Sequence, residues 1–200
     1  MEKLEGNQRR YKVRWKDVQA KSDLLSKKQF TVLAKYCARR DYVIGFESTD
    51  IAGLSVGTSH AYFVMLKLGL AFTAAELLTR VTLQKNSLGI KSAEFTKALN
   101  AGKFDRLLEG IEADNQRRYP KSKTSNVSKW RSATKTTDLT PLISQLRNYM
   151  FHGAFSPSES GLATSVTLRR LILNLAFLTI ECSDKALAKW LAKKTSISEH

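Results

Sequence analysis

Cysteine, proline and glycine are all scarce in this chain of 200 residues. The two cysteines, Cys37 and Cys182, lie far apart and have no metal-ligand spacing, which excludes a disulfide framework and a zinc finger. They are expected to be buried free thiols of a reducing compartment. Three prolines and ten glycines are too few for the many turns of a sandwich or barrel, and so argue for long helices. The first ten residues, MEKLEGNQRR, hold no apolar run, so no secretory leader is expected. There is no phosphate-cradling glycine loop, no metal-spaced His/Cys/Asp cluster and no nucleophile elbow, and no cofactor is called for.

Acidic side chains are also few, at 18 against 33 lysines and arginines, for a net charge of +15. The excess is clustered. Residues 1–40 carry twelve basic and four acidic side chains, and 112–137 carry seven and two, whereas 41–111 balance at seven each. A clustered positive field suits a polyanion, most often nucleic acid. A solubilising surface or an acidic partner protein is the plainer alternative.

An apolar content of 42% is enough for a packed core, and the length suits one domain. The amphipathic stretch 22–40 predicts a helix with Lys27, Lys28, Lys35 and Arg39 outside and Ser22 as its cap. Residues 41–58 hold three glycines and several β-branched residues, which predicts a loop with a possible short strand pair. An apolar helix of about 25 residues follows, capped by Thr58 or Ser59, with Gly69 inside it to permit close packing. Lys67 and Glu76 within it would be costly in lipid, so it reads as a buried central helix rather than a membrane span. Two short helices are expected at 92–100 and 103–111, and a long exposed basic loop at 112–137. There, Arg117, Arg118, Lys121, Lys123, Lys129, Trp130 and Arg131, with Tyr119, could grip single-stranded nucleic acid. Local packing of those aromatics is the alternative. Thr140, as N-cap before Pro141 at the first helical position, starts a helix over 140–153 with Gly153 as its stop, and a last helix runs over 162–193. The fold expected is all-α, a single helical domain over 1–200 with five to seven helices. A mixed α+β fold rests on 41–58 alone. No membrane association is expected, and the location expected is cytoplasmic.

The stretch LISQLRNYMFHGAF, 142–155, sets polar residues into an apolar helix. Leu142, Leu146, Tyr149 and Gly153 make a core stripe, and Asn148 and His152, four apart, share a face. Arg147 stands about 140° from His152 round an ideal helix, within reach for a long side chain near a helix end. Histidine accepts or donates protons near neutral pH, and arginine binds phosphate in a fork. Such a pair meets the needs of metal-free RNA cleavage, where the nucleophile is the substrate's own 2′-hydroxyl. A hydrogen-bonded core histidine is the structural alternative. Glu76 could orient Arg147 or His152, or pair with Arg80 four residues on.

The run RNYMFHG resembles the signature of the HEPN superfamily, an Arg-x(4–6)-His motif often with Asn directly after the Arg. The match gives Arg147, Asn148 and His152. The placement is similar too, on a penultimate helix followed by one more long helix. The resemblance implies an all-helical fold, a homodimer with two motifs facing one cleft, and metal-independent endoribonuclease activity on RNA. It further implies a defence or toxin–antitoxin setting, with an antitoxin protein as partner. His152 would be general base or acid, Arg147 the phosphate clamp and Asn148 the orienter. The position two after the histidine, a Tyr in some toxins of the family, is Ala154 here, so control at such a Tyr is not supported. Some members are non-catalytic nucleic-acid- or nucleotide-binding scaffolds, which is the alternative function.

Overall fold

The computed structural model describes residues 13–47, 51–80, 87–119 and 130–198. Among them the fold is all-helical, with no strand. Seven α-helices follow one another: α1 Trp15–Gln19, α2 Lys27–Gly45, α3 Val56–Leu78, α4 Ala93–Asn100, α5 Asp105–Arg118, α6 Thr140–Phe151 and α7 Val166–Ser198.

Helix α3 is apolar on every side, and a helix of that kind belongs inside. It packs against α2, α6 and α7, with Ala61, Leu68, Ala71 and Leu78 fully buried. It is long and apolar enough to cross a membrane, but 61% of its most apolar window is buried within the fold. Helices α3 and α7 run side by side in the same direction, with Gly57 against the backbone of Ala163 and Lys67 against Phe177. Helix α6 runs antiparallel to α3: Arg147 meets Glu76, Phe151 meets Gly69, and Phe155 beyond the helix meets Tyr62.

A buried polar knot ties the ends of the chain together. The Tyr36 hydroxyl donates to Asp184 at 2.7 Å, and Arg40 donates to Asp184 at 3.2 Å and to the Val13 carbonyl. Burial pushes the Tyr36 hydroxyl well above its usual range, so it stays a donor. Each of these groups would be costly to bury alone.

Several boundaries differ from the expectation. Residues 41–58 form no strand pair among the described residues; α2 continues to Gly45 and α3 starts at Val56. Ser55, not Thr58 or Ser59, caps α3, accepting from the Thr58 amide at 3.2 Å. Ser22 opens a short 3-10 turn, and Ser26 caps α2 in a reciprocal pair with Gln29. The last helix begins at Val166 rather than 162, and continues to Ser198. The exposed loop expected over 112–137 is helical through Arg118. The polar run EADNQRR lacks an apolar stripe, yet it extends a helix already anchored by Leu107, Leu108 and Ile111.

Candidate active site at the end of helix α6

Helix α6 is pinned at its start. The Asp138 carboxylate accepts from the Thr140 amide at 2.9 Å and from the Thr140 and Ser87 hydroxyls. Burial opposes its charge, but these bonds more than offset burial and hold its carboxyl below the usual value. Thr140, expected as the N-cap, is therefore the first helical residue with Pro141 second, and the group that caps its amide is the carboxylate two residues upstream. The far end stops at a glycine, as expected: Gly153 takes a φ of +74° and donates to the Met150 carbonyl at 3.0 Å. His152 is the C-cap, so its side chain leaves the helix at the surface, 37% exposed.

Two glycines bring neighbouring helices onto α6. A Cβ on Gly69 of α3 would stand 2.8 Å from the Phe151 ring. A Cβ on Gly110 of α5 would collide with the Tyr149 hydroxyl, its ring carbon Cζ lying 2.8 Å away. A glycine inside a helix costs about 1 kcal/mol relative to alanine. Here it allows the close approach that places Asp114, one turn on, beside His152.

Asp114 is the residue that sequence reasoning missed. Its side chain is 4% exposed and stands 3.9 Å from His152 Nδ1, an electrostatic contact rather than a hydrogen bond. Arg118 Nε donates to both carboxylate oxygens at 2.9 Å, and Arg117 Nη2 donates at 2.8 Å. Burial disfavours the ionised form, but the bonds and charges of Arg118 and Arg117 outweigh it and hold the carboxyl below its ordinary value. Arg118 also donates to the His152 carbonyl at 3.3 Å, satisfying a terminal acceptor of α6. The signal was present in the sequence as acid and base three and four residues apart, Asp114 with Arg117 and Arg118.

Arg147 faces the other way, toward α3. Its Nη2 lies 3.3 Å from Glu76 Oε2, and Arg80 holds the other oxygen of Glu76 at 2.6 Å. Two of the three anticipated partners of Glu76, Arg147 and Arg80, therefore bind it together, while His152 lies beside Asp114 instead. The Arg147 guanidinium also lies 5.3 Å from the centre of the Phe72 ring, and its buried Nε has no hydrogen-bond partner among the described residues. Within one chain no side-chain hydrogen bond or ion pair among the described residues joins Arg147, Asn148 and His152; the His152 amide donates to the Asn148 carbonyl at 2.9 Å as part of the helix. Asn148 is half-buried on the His152 side.

The expected RNA-gripping residues fare differently. Trp130 is 8% exposed and part of the core, so it is not a stacking surface. Its large apolar ring fills the core better than it serves solvent. Arg117 and Arg118 are committed to Asp114, and Arg131 to Asp105 at 3.1 Å and Glu109 at 3.4 Å. Tyr119 is 61% exposed. Lys121, Lys123 and Lys129 lie outside the described residues. Among the described residues no group of three or more His, Cys, Asp or Glu is placed to hold a metal ion. Compared with protein-family models, curated proteins and solved structures, the chain matches none of them.

Proposed function

We propose that the protein is a metal-independent endoribonuclease in which His152 moves the proton and arginine steadies the phosphate. The observation that carries the reading is the exposed His152 imidazole set against the buried, ionised Asp114. A base with a carboxylate behind it, here 3.9 Å away, is the arrangement that activates a hydroxyl once the two close to hydrogen-bonding distance. His152 Nε2 takes the proton of the ribose 2′-hydroxyl. The 2′-oxygen bonds to phosphorus as the bond to the 5′-oxygen breaks; that oxygen takes a proton from water, and the hydroxide left takes the proton back from His152 to restore the base. The products are a 2′,3′-cyclic phosphate and a free 5′-hydroxyl. The Asp114 carboxylate stands on the Nδ1 side of the ring, leaving Nε2 to face the substrate, and an arginine favours the charge on the phosphoryl oxygens. Arg147 and His152 face different neighbours in one chain, so the reading includes a homodimer in which one protomer's Arg147 meets its partner's cleft.

The cleavage rate with single-stranded RNA tests this. His152→Ala is expected to lower kcat roughly 10²–10⁴-fold, and Arg147→Ala roughly 10²-fold, with RNA still bound. Equal rates in all three proteins would overturn the reading.

A second reading, a non-catalytic nucleic-acid-binding scaffold, is favoured by the Arg147–Glu76–Arg80 bridge, which serves packing. It predicts that Arg147→Ala lowers stability while no variant changes the RNA.

A further inference from the structure

At the end of α2 an exposed tyrosine stacks on a half-buried phenylalanine, away from His152. Tyr42, in the last turn of α2, is 54% exposed. Its ring stacks on Phe46 with centroids 5.2 Å apart and planes 18° from parallel. Phe46 is backed in turn by Phe63 of α3 at 5.4 Å. The Lys67 ammonium lies 4.9 Å from the Phe63 centroid and 5.3 Å from that of Phe177. Burial disfavours the charged form of Lys67, while Glu47, just past the end of α2, favours it. The outer pair therefore rests on half-buried rings of α3 and α7 at the edge of the core.

The rest of that helix face is cationic. Lys28, Lys35 and Tyr42 are seven residues apart, so they fall within about 40° of one another round the helix. All three are exposed, and Arg39, half-buried, lies next to the line. The one acidic residue of α2, Asp41, stands about 100° from Tyr42 and is held by Arg40 at 2.9 Å. A row of cations without a carboxylate thus leads, over roughly 20 Å, to an open aromatic ring.

We propose that this face of α2 is a track for single-stranded RNA, with Lys28, Lys35 and Arg39 on phosphates and one unpaired base stacked on Tyr42. The inference rests on the reading of RNA as substrate and names the form of RNA taken. Evenly spaced cations follow a phosphate backbone, and any base has a face to stack, so the grip is tolerant of sequence. A duplex keeps its base faces covered and cannot use the platform.

The test uses the full chain carrying His152→Ala, so that RNA is not consumed, and a single-stranded oligoribonucleotide with 2-aminopurine inside it. Anisotropy gives the Kd and the 2-aminopurine signal reports stacking. Tyr42→Ala is expected to weaken binding about tenfold and to erase the stacking signal, and Tyr42→Trp to restore both. Lys28→Gln, Lys35→Gln and Arg39→Gln together are expected to flatten the slope of log Kd against log salt by about 2. Binding indifferent to Tyr42→Ala would overturn the track alone, as would equal affinity for the matching duplex. Loss of self-association in Tyr42→Ala with RNA binding intact would also overturn it, and would assign the patch to a protein contact. A His152→Ala chain that binds no RNA removes both the track and the nuclease reading. Tyr42-dependent binding without cleavage by the wild type removes the nuclease alone.

Discussion

The imidazole of His152 stands at the surface end of α6, and the buried Asp114 carboxylate of α5 lies 3.9 Å from its Nδ1. Asp114 is a positioning residue in this account, and that makes it separable from a structural one. Asp114→Asn is expected to lower kcat on the order of tenfold with Kd for RNA unchanged, and Asp114→Glu to recover part of the loss. Steady-state cleavage and anisotropy together check it. The same carboxyl leaves a mark on stability. Its pKa is lowered in the folded protein, so its contribution is fully present above the unfolded value of about 3.9 and is lost as pH falls through the folded value. Urea unfolding should therefore show Asp114→Asn less stable than wild type by about 1–3 kcal/mol at pH 7, with the gap closing below pH 4. A gap that does not change with pH would contradict the assignment.

The helices themselves were readable where apolar spacing or a cap announced them. Thr140-Pro141 placed the start of α6 and Gly153 its end, and the apolar run over 61–79 marked α3 as central. The end of α5 was not readable, since residues 112–118 gain their helicity from the anchored turns before them. The glycines divide the same way. Gly69 stood out inside an apolar helix as a packing notch, whereas Gly110 between Glu109 and Ile111 looked unremarkable until Tyr149 was seen against it. That contact sets the spacing of α5 and α6, and with it the distance from Asp114 to His152. Gly110→Ala gains helix propensity but forces the buried Tyr149 hydroxyl aside. Thermal unfolding should show a net loss of about 1–2 kcal/mol together with slower cleavage. Tyr149→Phe in the same chain should recover stability by removing the atom in the way. A Gly110→Ala protein more stable than wild type would show that α5 has room to shift.

For the whole molecule, composition pointed to the fold class through the shortage of glycine and proline, and to a polyanion through a charge of +15. It could not show which basic residues are free. Arg117, Arg118 and Arg131 are spent on carboxylates, while Lys28 and Lys35 face solvent. Nor could it show that Arg40, one of twelve cations in the first forty residues, is buried on Asp184 as a tie between α2 and α7. Removing one partner of such a pair strands the other: Arg40→Met is expected to cost about 3–5 kcal/mol in denaturant unfolding, against less than about 1 kcal/mol for the exposed Lys35→Met. The central claim is that a histidine supported by a buried carboxylate lets this chain cut RNA through the substrate's own 2′-hydroxyl. The most direct measurement is the end chemistry of end-labelled single-stranded RNA incubated with the protein in excess EDTA. The expected products are 2′,3′-cyclic phosphate and 5′-hydroxyl ends that vanish in His152→Ala. Intact RNA, ends bearing a 3′-hydroxyl, or the same products from His152→Ala would contradict it.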